Sequence, residues 1–108
     1  VGWYVANSKW PGGGWNTRPV GDPRKDSNAW GLRDTHGNVM EWCWDWWQNN
    51  IIKATDPLGP SVGSYRVVRG GHFYATARDC RSSSRGSSIP NGDPHWLAYT
   101  GFRMARSR

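Results

Sequence analysis

Between Val39 and Trp47 the chain alternates two kinds of residue. On an extended backbone Val39, Glu41, Cys43, Asp45 and Trp47 fall on one side, and Met40, Trp42, Trp44 and Trp46 on the other. The second side is wholly apolar, which predicts a strand with one buried face. The chain has 108 residues, enough for one domain with a modest buried fraction, so its nine tryptophans are expected to supply the large core side chains.

The rest of the sequence is punctuated rather than periodic. Residues 1–30 carry turn formers at Pro11 to Gly14, Pro19 and Gly21 to Pro23, which leaves room for only a short strand around Trp3 to Ala6. A second strand candidate runs from Tyr65 to Arg69 and is ended by Gly70 and Gly71; a third runs from Gly101 to Ala105. Residues 72–100 have no steady period and read as display loops. Nowhere is there a helix-length amphipathic segment. The predicted class is α+β, mostly β and irregular, in a single domain over residues 1–108.

Fourteen Lys and Arg against eight Asp and Glu give a formal charge of +6. The arginines are scattered, with no dense basic run and no nucleic-acid motif, so no nucleic-acid partner is expected. No apolar run is long enough to span a membrane. Cys43 and Cys80 have no CxxC spacing, and the three histidines, His36, His72 and His95, have no ligand spacing toward them. The two cysteines either form one disulfide, which would stabilise by about 3 to 4 kcal/mol, or stand as reduced thiols. Both alternatives stay open. Ser, His and Asp residues abound in 72–100, but nothing there resembles a nucleophile elbow or an ordered triad.

Five motifs carry a family resemblance: Asn28-Ala-Trp-Gly-Leu-Arg-Asp34, Gly37-Asn-Val-Met-Glu-Trp42, Arg66-Val-Val-Arg-Gly-Gly71, Cys80-Arg-Ser82 and Gly101-Phe-Arg103. In order and spacing the chain resembles the formylglycine-generating enzyme (sulfatase-modifying factor) family, whose members have a variant of the C-type lectin fold. The match looks like the C-terminal part of the family domain. The resemblance implies a structural calcium held by Asp34, Gly37, Val39 and Glu41. Two carboxylates and two carbonyls on an extended backbone are oxygen ligands of the kind a hard cation takes. Read from the residues alone, Asp34 is a turn cap and Glu41 the partner of an arginine.

The same resemblance argues against catalysis. Family enzymes bind copper through two cysteines after the Gly-Gly turn; here the first position falls at Ala75 and the second at Cys80, and His72 replaces the usual serine. One thiolate cannot make a two-thiolate site, so copper is not expected.

The chain also resembles variable proteins diversified by retroelements, in which adenine-mutated Asn codons never yield Lys, Glu, Gln, Met or Trp. Residues 72–100 contain no Lys, Glu, Gln or Met, and Trp96, the one excluded type present, would have to be a fixed position. The implied function is non-catalytic binding of a protein or glycan ligand, outside the cell or at its surface; the alternatives are a formylglycine-generating-type oxidase acting on a sulfatase cysteine and a degenerate accessory domain with no ligand of its own. Its expected contacts are Tyr74, Thr76, Asp79, Ser83, Ser84, Ser87, Ser88, His95, Trp96 and Tyr99. They mix rigid aromatic area with adaptable hydrogen bonding, as antibody paratopes do. Among the aromatics, Phe73 is expected to be the most buried because it follows the strand.

Overall fold

A computed structural model describes residues 2–51, 55, 57–92 and 94–104. Its elements are β1 (Met40–Trp46), β2 (Arg66–Arg69), β3 (Gly86–Ser88), the single-turn helix α1 (Pro94–Leu97) and β4 (Thr100–Gly101). They make one four-stranded sheet in the order β3-β2-β1-β4. β2 lies antiparallel to both β1 and β3, whereas β4 runs parallel to β1, pairing Met40 with Thr100 and Glu41 with Gly101. Consequently the chain after β4 leaves the sheet beside Glu41.

The first two strand expectations after Trp47 hold only in part. β2 begins at Arg66 rather than Tyr65, and β4 ends at Gly101, far short of the expected Ala105, which lies outside the described residues. Around Trp3 to Ala6 there is a single bridge, from Trp3 to Gly37, instead of a strand. Conversely, residues 72–100 contain β3 and α1, which no periodicity announces because three residues of Gly and Ser carry no apolar alternation.

The buried tryptophan face is a correction. Between the pairs Trp42 with Val68 and Trp46 with Arg66, β1 advances four residues while β2 advances two. That bulge breaks the alternation and turns Trp44 outward, where it is 88% exposed. Arg66 closes over the bulge: its guanidinium lies 3.5 Å from the Trp46 ring centre and 4.9 Å from that of Trp44, and it donates to the Trp44 carbonyl.

The wider expectation of a tryptophan-filled core fails for the same chemical reason. Among the described residues the buried hydrophobic set is Trp3, Val67, Val68, Ala75 and Cys80, so only one of the nine indoles is in the core. Cations cover five of the other eight, Trp44 and Trp46 among them, instead of apolar neighbours. Lys9 sits over Trp15, Arg18 over Trp10 and Arg85 over Trp47, and even buried Trp3 is flanked by Arg18, Arg24 and Lys25 at 4.6 to 5.1 Å. Such contacts contribute about 0.5 to 2 kcal/mol each and let an indole remain partly wet. Much of the positive charge therefore serves the scaffold.

Gly37 and Asn38 join the N-terminal loops to the sheet. Gly37 donates to the Gly70 carbonyl, Asn38 donates to the Trp3 carbonyl, and the Asn38 carbonyl accepts from Phe73. Both residues have positive φ. At Gly37 this matters twice, since an added Cβ would also lie 1.9 Å from the Trp3 carbonyl oxygen. Buried Asn38 uses its amide as a second backbone: Oδ1 accepts from Arg18 N at 2.8 Å and Nδ2 donates to Arg18 O at 3.1 Å. One residue thus pins residue 18 as well as residues 3 and 73.

Candidate functional site

The Gly70-Gly71 turn, with both residues at positive φ, ends β2, and three arrangements in the fold bear on function. The first is the pair of positions at Ala75 and Cys80. Both are buried. Gly71 is packed so closely on Cys80 that an added Cβ would lie 2.6 Å from its Sγ. Burial raises the Cys80 thiol, as does the neighbouring Asp79, and burial also raises Cys43. Both cysteines are free thiols in the structure. A methyl group at 75 supplies no soft ligand, so the residues do not fit a two-thiolate copper site.

The second arrangement is a cleft of about 400 Å3 that opens beside Ala75. Tyr74, Thr76, Asp79 and Ser84, four of the expected contact residues, line it with Arg69 and Arg85. Tyr74 is half exposed and rests edge-on against Trp15, ring centres 5.1 Å apart. Asp79 accepts from Thr76 through both its hydroxyl, at 2.6 Å, and its N–H; these bonds, the hydroxyl first, lower its carboxyl below the ordinary value. His72 also borders the cleft. Burial lowers its pKa, and its Nδ1 accepts from Tyr74 N, which fits a neutral ring.

The other expected contacts lie elsewhere. Ser87, buried Ser88 and Trp96 line a separate cavity of about 220 Å3 with Tyr65 and Ile89. Ser83 is exposed and borders neither. Phe73 is half-buried rather than deeply buried, and so is Tyr99; the two stack at 5.3 Å within a cluster that takes in His72, His95 and Trp96. The aromatic expected to be most buried instead shares that burial with its stacking partner.

The third arrangement is the carboxylate pair. The parallel β1·β4 pairing brings Arg103 to Glu41, and the guanidinium grips both carboxylate oxygens at 2.6 and 3.0 Å while donating to the Arg33 carbonyl at 2.9 Å. Asp34 acts on the same guanidinium electrostatically, and both acids raise the Arg103 pKa, Glu41 most. Asp34 has φ 56 and accepts from Gly21 N at 2.8 Å through one oxygen. The arginine-partner reading of Glu41 is therefore realised, whereas Asp34 accepts from a loop thirteen residues away rather than capping its own turn. The two carboxylates that act on Arg103 are hard oxygen donors, the type calcium takes. Among the described residues no group of three or more His, Cys, Asp or Glu could hold a metal.

Arg69, Arg85 and Arg103 are the side chains that the sequence did not single out. Each stands inside or beside a recognised motif, at Arg66 to Gly71, Cys80 to Ser82 and Gly101 to Arg103, so proximity to a motif was the available signal.

The fold is shared with a known protein. A solved structure, Treponema denticola variable protein 1, superposes with TM-score 0.75 and 36% identity, over 94% of this chain and 34% of that one. The likeness identifies the fold as the C-type lectin fold. Among curated relatives, the formylglycine-generating enzyme of Thermomonospora curvata is 37% identical over 87 residues, 72% of this chain and 28% of the relative. The serine/threonine-protein kinase Pkn1 of Chlamydia trachomatis is 39% identical over 85 residues, 74% of this chain and 13% of the relative. The chain thus spans about a third of these proteins or less. The family model for the sulfatase-modifying factor enzyme 1-like domain matches residues 2–108, and the chain belongs to that family.

Proposed function

We propose that this C-type lectin-fold domain is a non-catalytic binding module, stabilised by calcium, that takes a ligand on the face built from residues 72–100. The observation that carries the reading is the cleft beside Ala75. Where a thiol pair would be needed for oxidation there is a buried methyl, and around it stand exposed or half-exposed Tyr74, Thr76, Asp79 and Ser84. Aromatic area and short hydroxyls on loops anchored by a sheet suit recognition. Likeness to a variable protein supports assigning this face to the diversified class, and a near-copy of its codons beside a reverse transcriptase gene is the expected genomic sign.

Calcium would be held by Asp34, Glu41 and the carbonyls of Gly37 and Val39, and its chemistry there is charge neutralisation that fixes the loop. Asp34 would have one oxygen left for it, whereas Glu41 would have to exchange Arg103 for it.

The direct test is a screen of the chain on glycan and protein arrays. A partner whose binding is lost in Tyr74→Ala and Thr76→Ala, with melting unchanged, is the expected result; silence on every array contradicts the binding reading. Melting curves with calcium and with chelator test the metal separately, and superimposed curves contradict it.

A further inference from the structure

The cavity of about 220 Å3 beside Trp96 lies where the chain passes from β3 to α1, and Tyr65, Ser87, Ser88, Ile89, Gly92 and Trp96 line it. Its two aromatic side chains are both about half exposed. Backbone bonds hold their residues in place. The Tyr65 carbonyl accepts from Trp47 N at 2.7 Å, and the Trp96 carbonyl accepts from Tyr99 N at 3.1 Å and from the Thr100 hydroxyl at 3.0 Å. The turn over residues 89–92 is closed by Gly92 N donating to the Ile89 carbonyl at 3.0 Å. It has no room for a side chain at Gly92, where a Cβ would lie 2.9 Å from the Ile89 carbonyl oxygen. The hollow is therefore formed before any ligand arrives.

Its chemistry differs from that of the cleft beside Ala75. That cleft is bordered by Arg69, Asp79 and Arg85, whereas none of the described residues lining this cavity is charged. Apolar surface comes from Tyr65, Ile89 and Trp96. The Tyr65 and serine hydroxyls and the Trp96 indole N–H make no hydrogen bond among the described residues. Ser88 is buried, yet the sealed polar atoms without a partner are Trp3 Nε1 and Arg18 Nε, so the Ser88 hydroxyl stays reachable. An apolar side chain entering here would cover the rings but strip water from these groups without replacing it, which is unfavourable. A pyranose ring supplies both needs, with C–H groups on its face for the aromatic rings and hydroxyls on its rim for the polar groups. About 220 Å3 is below the roughly 300 Å3 at which sites for drug-sized ligands begin, so the cavity suits a single ring.

Resting on the binding-face reading above, we propose that this cavity takes one neutral hexopyranose unit of a glycan, stacked on Trp96 and Tyr65 and hydrogen-bonded by the Ser88 hydroxyl. Tyr65 lies outside residues 72–100, so the sugar contact joins one residue of the frame to two of the display region.

The test applies the labelled chain to an array of neutral and anionic glycans, with a random peptide phage library as the protein arm. The tightest glycan is then titrated against the parent, Trp96→Ala, Trp96→Phe, Ser88→Ala and Tyr74→Ala. Trp96 is exposed and Ser88→Ala removes one heavy atom, and melting curves check that each variant folds. Expected are neutral glycans whose affinity falls about tenfold or more in Trp96→Ala, with part of the loss recovered in Trp96→Phe. In Ser88→Ala it should fall about three- to tenfold. The proposal is overturned by hits that are all anionic, by affinity unchanged in Trp96→Ala, or by apolar peptides that bind through Trp96 where no glycan does. A ligand of either kind that loses binding in Tyr74→Ala but not in Trp96→Ala overturns this inference alone and leaves the binding face standing; no ligand in either arm overturns both.

Discussion

Replacing Arg103 by Gln should make the domain weaker without calcium and hungrier for it. The guanidinium makes two short bonds to Glu41 and one to Arg33 O. The Arg103 and Glu41 side chains nevertheless keep 37% and 25% of their exposure, so water screens the pair and it contributes about 1 kcal/mol rather than the larger value of a fully buried pair. In chelator, Arg103→Gln should therefore melt roughly 4 to 8 °C lower than the parent. Seating calcium on Glu41 requires giving up that same contact. Removing it beforehand should tighten calcium binding by about fivefold, the equivalent of about 1 kcal/mol. Isothermal titration with calcium reads the affinity and scanning fluorimetry the stability. If the variant binds calcium no more tightly than the parent, Arg103 is not the competitor; if neither protein binds, Asp34 and Glu41 are not a calcium pair.

Gly37→Ala should cost about 3 kcal/mol or more, because it adds a clash with the Trp3 carbonyl to a positive φ, whereas Gly13→Ala, in open space, should cost only about 1 to 2 kcal/mol by chemical denaturation. His72 has a lowered pKa from burial, so its neutral form is favoured by folding. Stability should be full above the ordinary histidine value of about 6.5 and fall as pH drops through it; His72→Phe should flatten that part of the melting profile, and an unchanged slope would contradict the assignment. Titration with Cu(I) under a competing chelator should find no tight two-thiolate site, because Ala75 offers no ligand and Cys43 and Cys80 lie in separate surroundings; tight stoichiometric binding quenched by thiol alkylation would revive the oxidase reading.

The motifs made much of the architecture legible. Strand β1, strand β2 with its Gly-Gly ending, and the absence of long helices among the described residues all follow from local pattern. What escaped was set by tertiary geometry. The β1 bulge that exposes Trp44 has no mark in an unbroken alternation of residues, and β3 is too short and too polar to announce itself. The role of the cations was hidden because sequence gives charge but not which ring a guanidinium covers. At the candidate sites, Asp34 and Glu41 were reached through the family resemblance, yet Arg103 lies 62 positions beyond Glu41 and reaches it only through the parallel pairing of β4. Asn38 was passed over because a buried amide that stands in for a backbone looks like any turn asparagine.

The account rests on a rigid frame that tolerates change on its outer face. A saturation scan of residues 72–100 with a display readout of folding tests this directly. Exposed Tyr74, Thr76, Ser83, Ser87 and Trp96 should accept most substitutions with folding retained, while buried Ala75, Cys80 and Ser88 should accept few. Equal intolerance at the exposed positions would mean that these side chains hold the domain together, and would contradict a display surface.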